Sequence, residues 1–299
     1  MPDSEANISI PDAPVTGAVF FFCAMFTLVL LGGCSTDSSD GAMYRADAQH
    51  TGVFPPGGPT TIDGAAWSFQ TGGGAVSSPA ISSGTAYVGS EDHHLYAIDI
   101  ETGQEQWAFE TGDAVFSSPA VADGTVYVGS WDNHLYAIDA ATGEEQWAFE
   151  ASATVSHVAV SGGTVYVVSL DNHLYAIADT DRGQWKGKWT FEAGDVMGPP
   201  AVSGGTVYVG SADGHLYAMD TETGQEQWAF EPDDGAASSP AISGGTIYAV
   251  SADGHLYAID AETGQEQWAF GTANMRSSPA VSGGTVYVGS DDGYLYAVE

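Results

Sequence analysis

The chain has 299 residues, with 39 acidic and 5 basic side chains, so its formal net charge is −34. A polyanion of this density excludes nucleic acid as a partner. Its two cysteines, Cys23 and Cys34, both precede residue 35, which excludes a disulfide framework for the rest of the chain.

Residues 15 to 31 are uncharged and largely apolar, and the run ends in Leu31-Gly32-Gly33-Cys34 followed by Ser35-Thr36-Asp37-Ser38-Ser39-Asp40. This resembles a lipobox, so residues 1–33 are expected to be a signal or lipoprotein leader and Cys34 the lipidated residue. The apolar run is short for a spanning helix and suits a signal h-region, although residues 1 to 17 lack Lys and Arg. An uncleaved transmembrane anchor is the alternative, and either reading puts the remainder outside the cytoplasm. Residues 34–63, rich in Ser, Asp, Gly and Pro, read as a flexible tether. A single lipid chain binds a membrane only marginally, so firm anchoring needs more than one.

From residue 64 to 299 the chain repeats. Leu-Tyr-Ala begins at Leu95, Leu135, Leu174, Leu216, Leu256 and Leu295, at spacings of 40, 39, 42, 40 and 39 residues. A period near forty signals stacked units that bury their apolar faces only against neighbours. Each unit holds an apolar run after Ser-Ser-Pro-Ala, then Gly-Thr-Val-Tyr-Val-Gly-Ser, His-Leu-Tyr-Ala-Ile-Asp and Glu-Gln-Trp-Ala-Phe. The alternation within each run has a period of two, and no helical period persists for ten residues, so four short strands are predicted per unit. Gly204-Gly205, Gly244-Gly245 and Gly283-Gly284 stand where tight hairpins need positive φ. Pro79, Pro119, Pro200, Pro240 and Pro279 open first strands, where a missing amide donor is tolerated. The fold class predicted is an all-β, six-bladed β-propeller of four-stranded antiparallel blades. The last unit stops at Glu299 without a Trp strand, and Ala66-Trp67-Ser68-Phe69-Gln70 supplies one at the other end. This N-terminal strand is expected to complete the last blade and close the ring, leaving no open edge.

The motif AxDxxTGxxxW recurs as Ala97, Asp99, Thr102, Gly103, Trp107; as Ala137, Asp139, Thr142, Gly143, Trp147; as Ala218, Asp220, Thr223, Gly224, Trp228; and as Ala258, Asp260, Thr263, Gly264, Trp268. It resembles the tryptophan-docking motif of the pyrroloquinoline quinone (PQQ)-like propeller family. The lead-in Tyr44-Arg45-Ala46-Asp47 with His50-Thr51-Gly52 resembles the segment before such propellers. Physically the motif reads as a staple: Asp and Thr bond the backbone of a turn that Gly permits, and Trp packs on the next blade. The copy after Leu174 departs, with Ala178 in place of Asp, no Thr-Gly, and three extra residues before Trp189.

The resemblance implies one of two functions: a quinoprotein dehydrogenase holding PQQ and calcium, or a non-enzymatic propeller like the lipoprotein subunit of the outer-membrane β-barrel assembly machinery. Both commonly have eight blades, and six narrow the central cavity. The dehydrogenases carry adjacent cysteines, which this sequence lacks, and cations for the cofactor's carboxylates, for which only Arg276 is placed. No GxSxG elbow, nucleophilic cysteine or phosphate loop is present. No cofactor is therefore expected, PQQ and calcium entering only under the alternative, and no catalytic or metal-binding residue is assigned.

His94, His134, His173, His215 and His255 share one repeat position with Tyr294, and Asp92, Asp132, Asp171, Asp213, Asp253 and Asp292 share another. Zinc needs nitrogens at about 2.0 to 2.1 Å, while packed sheets stand about 10 Å apart, so equivalent histidines of several blades cannot share an ion. The aspartates lack the ligand run of a calcium loop and suit hairpin turns. Residues that break the repeat are better candidates for contact: Phe116, Trp131, His157, Met197, Met275 and Arg276, with Asn274 beside them, most of them just before a first strand. Arg182, Lys186 and Lys188 cluster in the irregular third turn, which reads as a divergent solvated loop before it reads as a contact for an acidic partner. The expected protein is a monomeric, extracytoplasmic lipoprotein propeller, held to the membrane through Cys34 and serving as a platform for protein partners. Its charge resembles that of proteins from extreme halophiles, where a Debye length of about 3 Å at 1 M salt screens self-repulsion.

Overall fold

The computed structural model describes residues 41–42, 65–180, 184–194, 198–232, 239–251, 253–271, 275 and 277–299. The chain divides into two compact units, Met1–Ser38 and Ser39–Glu299. The leader, Cys34 and nearly all of the tether lie outside the described residues.

The second unit is all-β among its described residues and consists of six antiparallel sheets, the architecture of a propeller. Blade 1 holds β1 (Gly41–Ala42), β2 (Ala80–Ser82), β3 (Thr85–Gly89), β4 (His94–Asp99) and β5 (Glu105–Glu110). Blade 2 holds β6 (Ala120–Ala122), β7 (Thr125–Gly129), β8 (His134–Asp139) and β9 (Glu145–Glu150). Blade 3 holds β10 (Val155–Ser161), β11 (Thr164–Ser169), β12 (His173–Thr180) and β13 (Gln184–Glu192). Blades 4 and 5 repeat the plan with β14 (Ala201–Ser203) to β17 (Glu226–Phe230) and β18 (Ala241–Ser243) to β21 (Glu266–Gly271). Blade 6 has β22 (Ala280–Ser282), β23 (Thr285–Gly289) and β24 (Leu295–Val298).

Strands pair in chain order within each blade, and the first strands of consecutive blades approach one another from blade 1 to blade 6. The second strand has a neighbour on each side and a blade on each face, so Thr125–Gly129 is buried along its whole length. A bulge between Ala97 and Ile98 on the β4–β5 pairing recurs at the same place in blades 2 to 5 and adds twist to the outer hairpin. The prolines sit immediately before β2, β6, β14, β18 and β22. Blade 3 has Val158 at this point, and without a proline its first strand starts earlier, at Val155.

The sixth sheet has three described strands, and residues 65–70 are not a strand and are not paired with Leu295–Val298. Half of the closing arrangement is nevertheless built, because Trp67 and Phe69 are seated on blade 1 as described below. The seam between blades 6 and 1 is left unpacked. Leu295 is 73% exposed, whereas Leu95, Leu135, Leu174, Leu216 and Leu256 are fully buried. Ile81 is 39% exposed against 7% or less for its counterparts Val121, Val160, Val202, Ile242 and Val281. The physical difference is sequence separation: every other pairing is between neighbours in the chain, and this one must bring residue 70 to residue 295.

Candidate functional site

The joints between blades come first, because they consume most of the side chains that chemistry would need. In the turn after β4, Asp99 Oδ1 accepts from the Thr102 amide at 2.8 Å and the Thr102 hydroxyl at 2.7 Å. Gly103 follows at φ +69°, a left-handed conformation that a side chain resists. Asp139, Asp220 and Asp260 make the same bonds to Thr142, Thr223 and Thr263. These hydrogen bonds hold the four partly exposed carboxyls below their ordinary pKa.

Each tryptophan then crosses to the next blade. Trp107 Nε1 donates to Ala140 O at 3.1 Å, Trp189 to Thr221 O at 3.0 Å and Trp228 to Ala261 O at 3.2 Å. The ring lies on the turn glycine so closely that a Cβ on Gly143 would stand 2.7 Å from Trp107 Cδ2. Trp67 does the same on blade 1, donating to Ile100 O at 2.8 Å beside Gly103. One turn further in, Phe109 meets Tyr136 edge to face at 5.2 Å, and Phe69 meets Tyr96 likewise at 5.4 Å. Residues 65–70 thus occupy the place of an outer strand upstream of blade 1.

Blade 3 lacks the Thr-Gly docking sequence, and Asp179 supplies the acceptor instead. Its Oδ1 accepts from Trp147 Nε1 at 2.8 Å and its Oδ2 from the Tyr127 hydroxyl at 2.5 Å. Burial first, and then this carboxylate, push the Tyr127 pKa up. Sequence reasoning missed Asp179. The signal was present, since Ala178-Asp179 places the acid one residue later than in the other copies.

The second aspartate set is equally committed. Asp132 Oδ1 takes the His134 amide at 2.9 Å, and its Oδ2 takes the Tyr136 hydroxyl at 2.7 Å and the Gly112 amide at 2.6 Å, tying the linker from blade 1 to blade 2. Asp92, Asp171 and Asp213 repeat all three bonds. Burial raises the Asp213 carboxyl, but the hydrogen bonds outweigh it and leave the pKa lowered. Burial and the Asp213 carboxylate push Tyr217 up to about 12. The histidines stack on the same tyrosines, His134 on Tyr136 at 5.7 Å, with Nδ1 3.0 Å from Asp132 O. Among the described residues, no three His, Cys, Asp or Glu side chains converge as a metal site would require.

The repeat-breaking residues fall in different places. Trp131 is 48% exposed, and Phe116 stacks on it with ring centroids 4.3 Å apart. His157 lies in β10, where part of its surface stays accessible while protein surrounds the imidazole; desolvation pushes its pKa down to about 4. Met275 corrects an expectation: it is 1% exposed and packs with Val250, Leu256 and Val288, so it serves the core and offers a partner nothing. Met197, Asn274 and Arg276 lie outside the described residues. Leu170, at the repeat position of Trp131, is 55% exposed; the sequence shows the substitution at that position but not that the side chain stands in solvent.

A quinone bearing carboxylates needs convergent cations. None of the six innermost strands carries Lys or Arg, and the described lysines, Lys186 and Lys188, belong to outer strand β13, where Lys188 pairs with Glu222 at 3.0 Å. The described residues do not fit the cofactor.

Similarity to known proteins agrees with this architecture. A crystal structure of BamB from Moraxella catarrhalis superposes with a TM-score of 0.61 at 21% identity, covering 72% of this chain and 70% of that one, which supports the fold. No curated protein matches the chain. Residues 62–119, 112–197 and 178–299 match the PQQ-like repeat family described as outer membrane protein assembly factor BamB, and the chain belongs to that family.

Proposed function

We propose that this protein is a non-catalytic, cell-surface lipoprotein whose six-bladed propeller is a rigid platform for protein contacts. The observation that carries the reading is the commitment of its carboxylates: the repeated docking and hairpin aspartates each hold at least one backbone amide and a hydroxyl of the fold. The family's description as an assembly factor supports the same reading. The lipobox-like run ending at Cys34 supports a lipid anchor and an extracytoplasmic address, and the charge of −34 supports a high-salt habitat.

The test is a calorimetric titration of the purified full-length chain with PQQ and calcium in molar salt, followed by dye-linked alcohol or sugar oxidation. The expected outcome is neither heat nor turnover. Binding at micromolar affinity or tighter, with turnover, would overturn the platform in favour of a quinoprotein dehydrogenase.

A further inference from the structure

The turn between second and third strands carries one residue whose amide donates to the linker entering its blade: Glu91 to Gly74 O at 2.9 Å, Trp131 to Ala114 O at 3.0 Å and Leu170 to Thr154 O at 2.9 Å. These three positions are therefore equivalent and lie on one face of the ring. Blade 4 has Ala212 there and blade 6 has Asp291. Blades 2 and 3, next to each other, are the two that present large apolar groups, with Trp131 48% and Leu170 55% exposed. The Trp131 ring is held by its stack on Phe116, so its contact surface is fixed before anything binds, which lowers the entropic cost of association.

Among the described residues, the charged side chains around these anchors have one sign. Glu110 and Glu150 are exposed where β5 and β9 run into the two linkers, Glu91 is exposed in the neighbouring turn, and Asp113 is half exposed beside the Phe116 linker. Asp132 and Asp171, one residue beyond Trp131 and Leu170, are held in hydrogen bonds to the fold. His93 Nε2 stands 3.7 Å from Asp113. The described lysines are remote: Lys186 pairs with Ala178, near the opposite end of β12 from the Leu170 turn.

Resting on the platform reading, we propose that Trp131, Phe116 and Leu170 form the docking face of this propeller, and that its partner is a protein segment presenting apolar side chains flanked by Lys or Arg. The aromatic and aliphatic anchors supply affinity by excluding water, as exposed tryptophans at interface centres do. The surrounding carboxylates select a basic flank and reject an acidic one.

The test uses the full-length chain and fluorescein-labelled synthetic peptides carrying two Leu or Phe anchors at varied spacing between lysines. Control peptides exchange Lys for Glu, or the anchors for Ser. Trp131→Ala and Leu170→Ala are combined, both being the residue blade 4 uses at that position, so folding is preserved. We expect the Lys-flanked apolar peptides to bind in anisotropy titrations, and the double variant to lose about tenfold or more in affinity. Equal affinity of variant and wild type, tighter binding of the Glu-flanked peptides, or no binding overturns the proposal. Self-association abolished by the double variant, seen in sedimentation, would give the face to a second copy and also overturn it. Turnover with quinone and calcium would sink the platform reading whatever the peptides do, while unchanged peptide affinity sinks this face alone.

Discussion

Gly143 shows how much one residue type determines in this protein. Its φ of +72° disfavours any side chain, and the Trp107 ring occupies the space a Cβ would take. Gly124 has a similar φ of +78° but open space around it. Gly143→Ala should therefore destabilise by about 2–4 kcal/mol, against about 1–2 kcal/mol for Gly124→Ala, in chemical denaturation. Equal losses would mean the ring contact contributes nothing. His157 is a second case. Its pKa is depressed by burial to about 4 from 6.5, so the folded state prefers the neutral ring. The unfolded chain takes up the proton first as pH falls below 6.5, and stability contributed by the neutral ring drains away down to about pH 4. His157→Gln should flatten the melting temperature across that window, and NMR titration of the ring in the native protein should find it neutral at pH 5.5.

At the scale of the element, blade 3 solves a shared problem with different chemistry. Elsewhere a tryptophan N–H meets a backbone carbonyl over a glycine turn, whereas the longer β12–β13 hairpin offers the Asp179 carboxylate to Trp147 and Tyr127 together. Hydrogen bonds to a charged acceptor contribute about 1.5–3 kcal/mol, so Asp179→Asn should lower stability by roughly that amount. Urea titration should show a lower midpoint at unchanged slope. A neutral effect would mean that apolar packing around Trp147 holds this joint without the carboxylate.

For the whole molecule the geometry turns on the seam between blades 6 and 1. Trp67 and Phe69 already sit on blade 1, and the β4–β5 register, with Ile98 opposite Glu105, would place Val298 opposite Ala65 in a completed sixth sheet. Ala65→Cys with Val298→Cys, in a chain whose Cys23 and Cys34 are replaced by Ser, should oxidise to an intramolecular disulfide under native conditions and not in urea. Two free thiols in the native protein would show that the sixth blade stays three-stranded. Closure would bury Leu295, Tyr287 and Ile81, apolar surface that a soluble monomer rarely leaves contiguous and exposed.

The sequence by itself determined the repeat, the strand runs and their turns, because each depends on contacts within some forty residues: the alternation of Val and Tyr, proline ahead of a first strand, glycine at positive φ. It also marked Trp131 as a departure from the repeat. Only the tertiary structure decided that Met275 is core, that Asp179 takes the place of a docking turn, and that Trp131 and Leu170 stand exposed with Phe116 stacked on the indole. Those facts depend on which blade stands next to which, and no periodicity along the chain records the partner across a seam. The pairing of the two chain ends has the greatest separation of all, and there the sequence and the described strands part company.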